Sequence, residues 1–314
     1  MTARPELAAA VTALGGPGAT LERFAPLSLG TSYECSAASV RTAAGSVLDV
    51  FVKDFGVRLL PKRDPTQARE VERWAYRELL SRVPGLGTPR FHGSSWDPAG
   101  DRCWLFLELV HGTKLRELPF DHWVAAAAWL ARMQARLSPL IAHAGSSIPR
   151  HDAGSYIRDA EAALRAARTY STELAGDLEA VVATLRELAP AMAAEPFVLV
   201  HGSFWPRHVL VAEDGRRICV VDWERASLGS PLYDLGGLAL GFEGKQLQDL
   251  IRAFVDSADR SGTPVSEGIV VALLDLFRLH YVLRTLAGAL RYGFPPDAVA
   301  RLTEMALALH ARVA

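Results

Sequence analysis

Polar side chains in this 314-residue chain gather where apolar runs end. Lys53 closes Val47-Leu48-Asp49-Val50-Phe51-Val52, and it is one of only four lysines. His201-Gly202-Ser203 breaks the run Phe197 to Val200, His208 precedes Val209 to Val211, and Asp222 with Glu224 follows Ile218 to Val221. Loops at strand ends are where side chains reach a ligand. An ammonium attracts anions, a carboxylate is the oxygen ligand a hard cation prefers, and an imidazole binds metal or moves protons. Each also has an ordinary reading: an edge lysine, a turn or capping aspartate, a satisfied core histidine. Asp234, beginning a helix after a turn, reads as a cap or as a partner of the His201 loop.

The elements that must position these groups follow from periodicity and punctuation. Thr20 to Phe55 reads as a β-meander (Leu21 to Leu29, Glu34 to Arg41, Val47 to Phe55) after a short first helix containing Leu7 to Leu14. Asp64-Pro65-Thr66-Gln67 is a helix start, and Val71, Trp74, Ala75 and Leu79 make the apolar stripe of a helix ending near Arg82. Strands at Arg90 to His92 and Cys103 to Val110 follow. Asp121 to Ser138, Asp152 to Arg168 and Thr172 to Ala194 are helical by spacing. After the central strands, Leu232 to Leu240, Lys245 to Ala258, Glu267 to Arg291 and Pro296 to Arg312 read as helices too.

Thirty-four basic and 35 acidic residues leave a net charge of −1, which offers no field for nucleic acid or an anionic membrane. Half the residues are hydrophobic, enough for a sizeable core, yet no apolar run reaches the roughly 18 residues of a membrane span. Cys35, Cys103 and Cys219 lie far apart with no metal-ligand spacing, so they read as buried thiols in a reducing cytoplasm.

The segment 197–236 resembles the catalytic and metal-binding loops of the aminoglycoside phosphotransferase and choline kinase-like family, whose pattern is H-G-D-x-x-x-x-N, a hairpin, then D-x-E or D-x-D. His201, Gly202, Asp222 and Glu224 match it, as does Gly229-x-Pro231-x-x-Asp234-Leu235-Gly236. The resemblance covers about residues 20 to 290 and implies an α+β, bilobal protein-kinase-like fold. A small β-rich N-lobe with one helix (1–110) would precede a larger, mostly helical C-lobe (111–314), with a nucleotide cleft between them. Lys53 would hold the nucleotide's α- and β-phosphates, and Glu72 of E-x-x-x-Y-x-x-L would pair with it, Glu70 and Glu78 being alternatives. Gly30, Thr31 and Ser32 would cover phosphate, unless they form an ordinary turn. Glu108 to Val110 would bind the base through backbone groups. Asp222 would hold Mg²⁺, with Glu224 assisting a second metal or merely solvated.

Two residues depart from the pattern. Ser203 stands where the family has its catalytic Asp, and a serine hydroxyl cannot take a proton near neutral pH as a carboxylate does. His208 stands where the family has Asn; it is a candidate metal ligand or base. His201 holds the loop in this family, or acts directly. The expectation is therefore an atypical ATP- or GTP-dependent, Mg-dependent phosphotransferase acting on a hydroxyl of a small molecule or peptide. The alternative is a pseudokinase that recruits a peptide or partner enzyme, and a weaker third option is nucleotidyl transfer. Residues 241–314 carry eight acids and eight bases, which offers no evident basin for a polycationic aminoglycoside.

Overall fold

The computed structural model describes residues 5–28, 32–62, 64–97, 102–141, 148–194 and 196–314. The chain divides into two compact units, Met1–Thr113 with Leu210–Glu224, and Lys114–Val209 with Arg225–Ala314.

The first unit is built on an antiparallel sheet of β1 (Thr20–Leu27), β2 (Tyr33–Arg41), β3 (Val47–Arg58), β4 (Phe91–Asp97) and β5 (Arg102–Glu108), in the order β1-β2-β3-β5-β4. Strand β3 is central, and its two-residue period divides its work. Val50 and Val52 face a core with Ala38, Val40, Trp104 and Phe106, which α1 (Pro5–Ala13) covers with Leu7 and Val11. Lys53 points to the opposite face, its backbone paired on both sides, with Cys35 of β2 and Leu105 of β5. That face is apolar as well: Tyr33 and Phe55 meet edge to face at 4.9 Å beneath the lysine.

Helix α2 (Pro65–Trp74) starts as its sequence requires. The Asp64 side chain accepts from the Gln67 N–H at 2.9 Å, and Pro65 occupies the first turn. The expected continuation to Arg82 is present but changes hydrogen bonding: Ala75–Leu79 is a π-turn stretch and Leu80–Arg82 a 3₁₀ turn. A short sheet of β6 (Gly112–Lys114), β8 (Val209–Ala212) and β9 (Ile218–Val220) carries Asp222 at its end. Asp214 turns β8 into β9 by accepting from the N–H groups of Arg216 and Arg217.

The second unit is mainly helical: α3 (Phe120–Ile141), α4 (Ala153–Tyr170), α5 (Thr172–Met192), α6 (Tyr233–Leu238), α7 (Gly244–Arg260), α8 (Glu267–Ala287), α9 (Ala289–Tyr292) and α10 (Pro296–Val313). The long pattern expected from Glu267 to Arg291 is interrupted at Gly288, the weak helix former that separates α8 from α9. Its two-stranded sheet pairs β7 (Val198–Val200) with β10 (Ser227–Gly229). Two of the four three-residue strands, β6 and β10, show too little alternation to be read from sequence. All three cysteines are buried and none forms a disulfide. No helix among the described residues is long and apolar enough to cross a membrane.

Candidate functional site

In the first unit the ionisable residues singled out by sequence converge. Lys53 Nζ donates to Glu72 Oε2 at 2.6 Å and to Asp222 Oδ1 at 2.7 Å, and Glu224 Oε2 lies 3.9 Å away. Lys53 is 5% exposed and Glu72 1%, so this is a buried ion pair joining the sheet, the helix and the end of β9. Glu70, one alternative on the same helix, pairs with Arg73 instead, and Glu78 with Arg77 and Arg82. Burial opposes the charged form of Lys53, but Asp222, Glu72 and Glu224 together hold its ammonium well above the ordinary lysine range. Burial pushes the Glu72 carboxyl up, against the pull of Lys53.

Asp222 takes a left-handed backbone, φ +67°, the one non-glycine among the described residues to do so. Short polar residues tolerate that region best, and the bend turns the carboxylate toward Lys53 immediately after β9. Oxygens of Glu72, Asp222 and Glu224 lie within 4.8 Å of one another. Such a set suits a hard cation: all donors are carboxylate oxygens, and the buried Glu224 Oε2 accepts no hydrogen bond among the described residues. Glu72 and Asp222 both bond Lys53, but Asp222 and Glu224 follow the end of β9, and they are the residues that would hold an ion.

Lys62, whose role the sequence did not signal, is buried against Glu224 Oε1. It lies in the loop after β3, outside any periodic pattern, and its partner is 162 residues away. Its Nζ stands 5.4 Å from the Tyr33 ring, which also carries Lys53 at 5.5 Å.

Glu108 does more than lend its backbone. Its carboxylate receives the Arg217 guanidinium as a fork, at 2.6 and 2.8 Å, and accepts from the Arg90 N–H at 3.0 Å. Arg217 also donates to the carbonyls of Gly87 and Thr88, tying β9 to the segment before β4. The N–H groups of Glu108 and Leu109 bond the Arg90 and Asp49 carbonyls, whereas the Val110 backbone N–H and C=O have no partner among the described residues. Gly30 and Thr31 lie outside the described residues. The Ser32 carbonyl accepts from the N–H groups of Leu59 and Leu60, fastening β2 to the end of β3.

The loop after β7, in the second unit, is held from several sides. Asp234 accepts from the His201 N–H at 2.5 Å, the Gly202 N–H at 3.0 Å and the Tyr281 hydroxyl at 3.3 Å; no capping bond to α6 is formed. The Ser203 N–H donates to His201 Nδ1 at 3.3 Å, and His201 is fully buried. His208 Nδ1 bonds the Ser203 carbonyl at 2.9 Å, and its Nε2 accepts from Arg207 Nε at 3.1 Å. That pattern assigns the proton to Nδ1 and engages both ring nitrogens. The Ser203 hydroxyl itself makes no hydrogen bond to a described residue. Gly202 has φ +73°, and a Cβ there would lie 2.0 Å from the Arg225 carbonyl oxygen.

A β-rich unit followed by a helical one, with a central-strand lysine bound to a helix glutamate and a strand-end aspartate, defines the protein-kinase-like fold of the small-molecule phosphotransferases. The chain belongs to the phosphotransferase enzyme family, whose model matches residues 39–265. Solved structures agree over nearly the full length. The GDP and kanamycin complex of APH(2")-IIIa is 16% identical with a TM-score of 0.65, covering 98% of this chain and 99% of that one. Macrolide 2'-phosphotransferase MphH from Brachybacterium faecium is 20% identical with a TM-score of 0.57, covering 97% and 98%. A thermostable mutant of aminoglycoside phosphotransferase APH(4)-Ia, in ternary complex with ADP and hygromycin B, is 18% identical with a TM-score of 0.58, covering 93% and 94%. At these identities the likeness is one of fold. No curated protein sequence matches the chain.

Proposed function

We propose that this chain transfers the γ-phosphate of a purine nucleoside triphosphate, ATP or GTP, to a hydroxyl of a small molecule or peptide, with Mg²⁺. The observation that carries the reading is the Lys53 ammonium bonded at once to Glu72 and Asp222. Phosphoryl transfer asks little covalent work of a protein; it needs phosphates held, charge neutralised and a hydroxyl aimed. Lys53 binds phosphate oxygens, and Glu72 holds it in place. Asp222 and Glu224 supply oxygen ligands for the metal, which when bound neutralises phosphate charge. Val110 offers backbone groups to the base. Two of the structural neighbours hold GDP and ADP, which supports the same assignment. Three buried, unbridged thiols fit a reducing cytoplasm.

Ser203 sets the rate. Loss of a general base costs about 10²- to 10⁴-fold, which a reaction governed by positioning survives at reduced speed. A pseudokinase that binds a peptide or partner protein is the competing reading, favoured by that same serine and by His208, whose ring nitrogens are both engaged.

Calorimetric titration with ATP and with GTP, each with and without Mg²⁺, tests the reading. Metal-dependent binding lost in Lys53→Ala and Asp222→Ala is the expected result, and no binding under any condition would sink it. Turnover then separates enzyme from binder. An enzyme adapted to its loop transfers phosphate as wild type and loses activity in Ser203→Asp/His208→Asn; a binder is inactive as wild type.

A further inference from the structure

The loop that carries Ser203 is held by a guanidinium that bonds no carboxylate among the described residues. Arg284 Nη1 donates to the Gly202 carbonyl at 2.5 Å and to the Tyr233 hydroxyl at 2.6 Å. Among the described residues, its Nε and Nη2 have no hydrogen-bond partner and no carboxylate forms an ion pair with it. Two acids stand near: Asp159, whose charge acts on Arg284 without bonding it, lies 3.4 Å from His280, and Asp234 accepts from the loop N–H groups. Largely buried charges are normally paired, by the protein or by a ligand.

Further donors stand beside it. The Tyr233 hydroxyl accepts from Arg284, so its own proton is free to donate, with no acceptor among the described residues. His151 stacks on the Tyr233 ring at 4.1 Å, and its buried Nε2 has no partner among the described residues. The Tyr156 hydroxyl, fully buried and 4.8 Å ring to ring from His280, is likewise unpartnered. Burial pushes His151 down to about 3, with Arg284 adding to the shift and Asp159 opposing it, so its imidazole is neutral.

We propose that Arg284, with the Tyr233 hydroxyl and the His151 imidazole, binds a carboxylate or phosphate group of the acceptor, so that the molecule phosphorylated is a hydroxylated acid. The inference rests on the phosphotransferase reading for the word acceptor, but the anion site stands on its own geometry. Gly202, whose carbonyl Arg284 holds, directly precedes Ser203, at the position where the family aims the acceptor hydroxyl. An acid group bound at Arg284 would therefore lie within a few bonds of that hydroxyl. A polycation such as an aminoglycoside meets the wrong charge here.

The test is calorimetry on the full chain with D-gluconate, inorganic phosphate, D-glucose and kanamycin, at low and high salt, with ADP·Mg²⁺ titrated into the same samples. Gluconate or phosphate is expected to bind, more weakly in high salt, while neutral glucose and cationic kanamycin do not. Losing one charge-assisted hydrogen bond weakens binding about tenfold or more, so Arg284→Lys and Tyr233→Phe should each show at least that loss. Tyr233→Phe keeps the ring stack and decides the matter should Arg284→Lys fail to fold. Saturating ADP·Mg²⁺ should leave gluconate binding unchanged, which separates this site from the nucleotide residues. Binding of gluconate alone identifies a carboxylate acceptor, and binding of phosphate alone a phosphorylated one. Neither anion binding to the wild type, equal binding to Tyr233→Phe, or kanamycin binding in their place overturns the inference. ADP binding without anion binding rejects this site and leaves the phosphotransferase reading standing; anion binding without ADP binding does the reverse.

Discussion

Replacing Lys53 by Met tests the electrostatics of the first unit. The lysine and Glu72 are both buried and 2.6 Å apart, so the substitution leaves a carboxylate in the interior without its counter-charge. Removing one partner of a buried pair costs about 3–5 kcal/mol. The penalty should also titrate. Glu72 is already pushed up by burial, and without the lysine it rises further, so the folded variant prefers the protonated acid. A group with a raised folded pKa contributes stability below its unfolded value and loses it as pH rises through the folded one. Each pH unit in which only the variant's folded state holds the proton is worth about 1.4 kcal/mol. Because wild-type Glu72 already sits at about 7, the extra penalty opens above pH 7. Urea-unfolding midpoints followed by circular dichroism, with unchanged slopes, measure this. Lys53→Met should be close to wild type near pH 5 and weakest near pH 8, and Lys53→Met/Glu72→Leu should recover much of the loss by removing both charges. A penalty below about 1 kcal/mol at pH 8, one independent of pH, or a double variant no better than the single would refute the account.

Other expectations follow from single contacts. The Arg217 fork, opposed by burial, holds Glu108 down to about 2. Its stabilisation is full above the unfolded carboxyl value and is lost as pH falls toward 2, so Glu108→Gln should flatten the acid limb of an unfolding-against-pH profile. Buried His151 sits at about 3 against an unfolded value of 6.5, so it costs stability progressively as pH drops from 6.5 toward 3. His151→Phe should remove that dependence in melting curves recorded at pH 4 and pH 7. Gly202→Ala should destabilise well beyond the ~1–2 kcal/mol of a left-handed alanine, because its Cβ meets the Arg225 carbonyl. Gly215→Ala, with φ +69° and nothing within 4 Å, is the control and should pay the conformational cost alone in thermal melts.

The local signals in the sequence were sufficient for several elements. The alternation that buries Val50 and Val52 sends Lys53 to the opposite face, and Asp64-Pro65 starts α2 because capping acts within one turn. The order His201, Gly202, Asp222, Asp234 carried the family, and with it the fold, because a motif records residue type at fixed spacing. Partners distant in the chain left no such trace. The exception is Glu72, which the E-x-x-x-Y-x-x-L pattern favoured over Glu70 and Glu78 and which does meet Lys53. Lys62 on Glu224 and Arg217 on Glu108 join segments 162 and 109 residues apart. Nothing local distinguishes such residues from solvated surface charges. The sequence also read Asp234 two ways, as a cap or as a loop partner, and tertiary packing chose the second by aiming the His201 and Gly202 N–H groups at its carboxylate. The open donors of Arg284 could not be read at all, because which groups a side chain leaves unbonded is decided by everything folded around it. Periodicity, caps and motif spacing are short-range and belong to the sequence; pairing and burial are properties of neighbours that only the folded chain brings together.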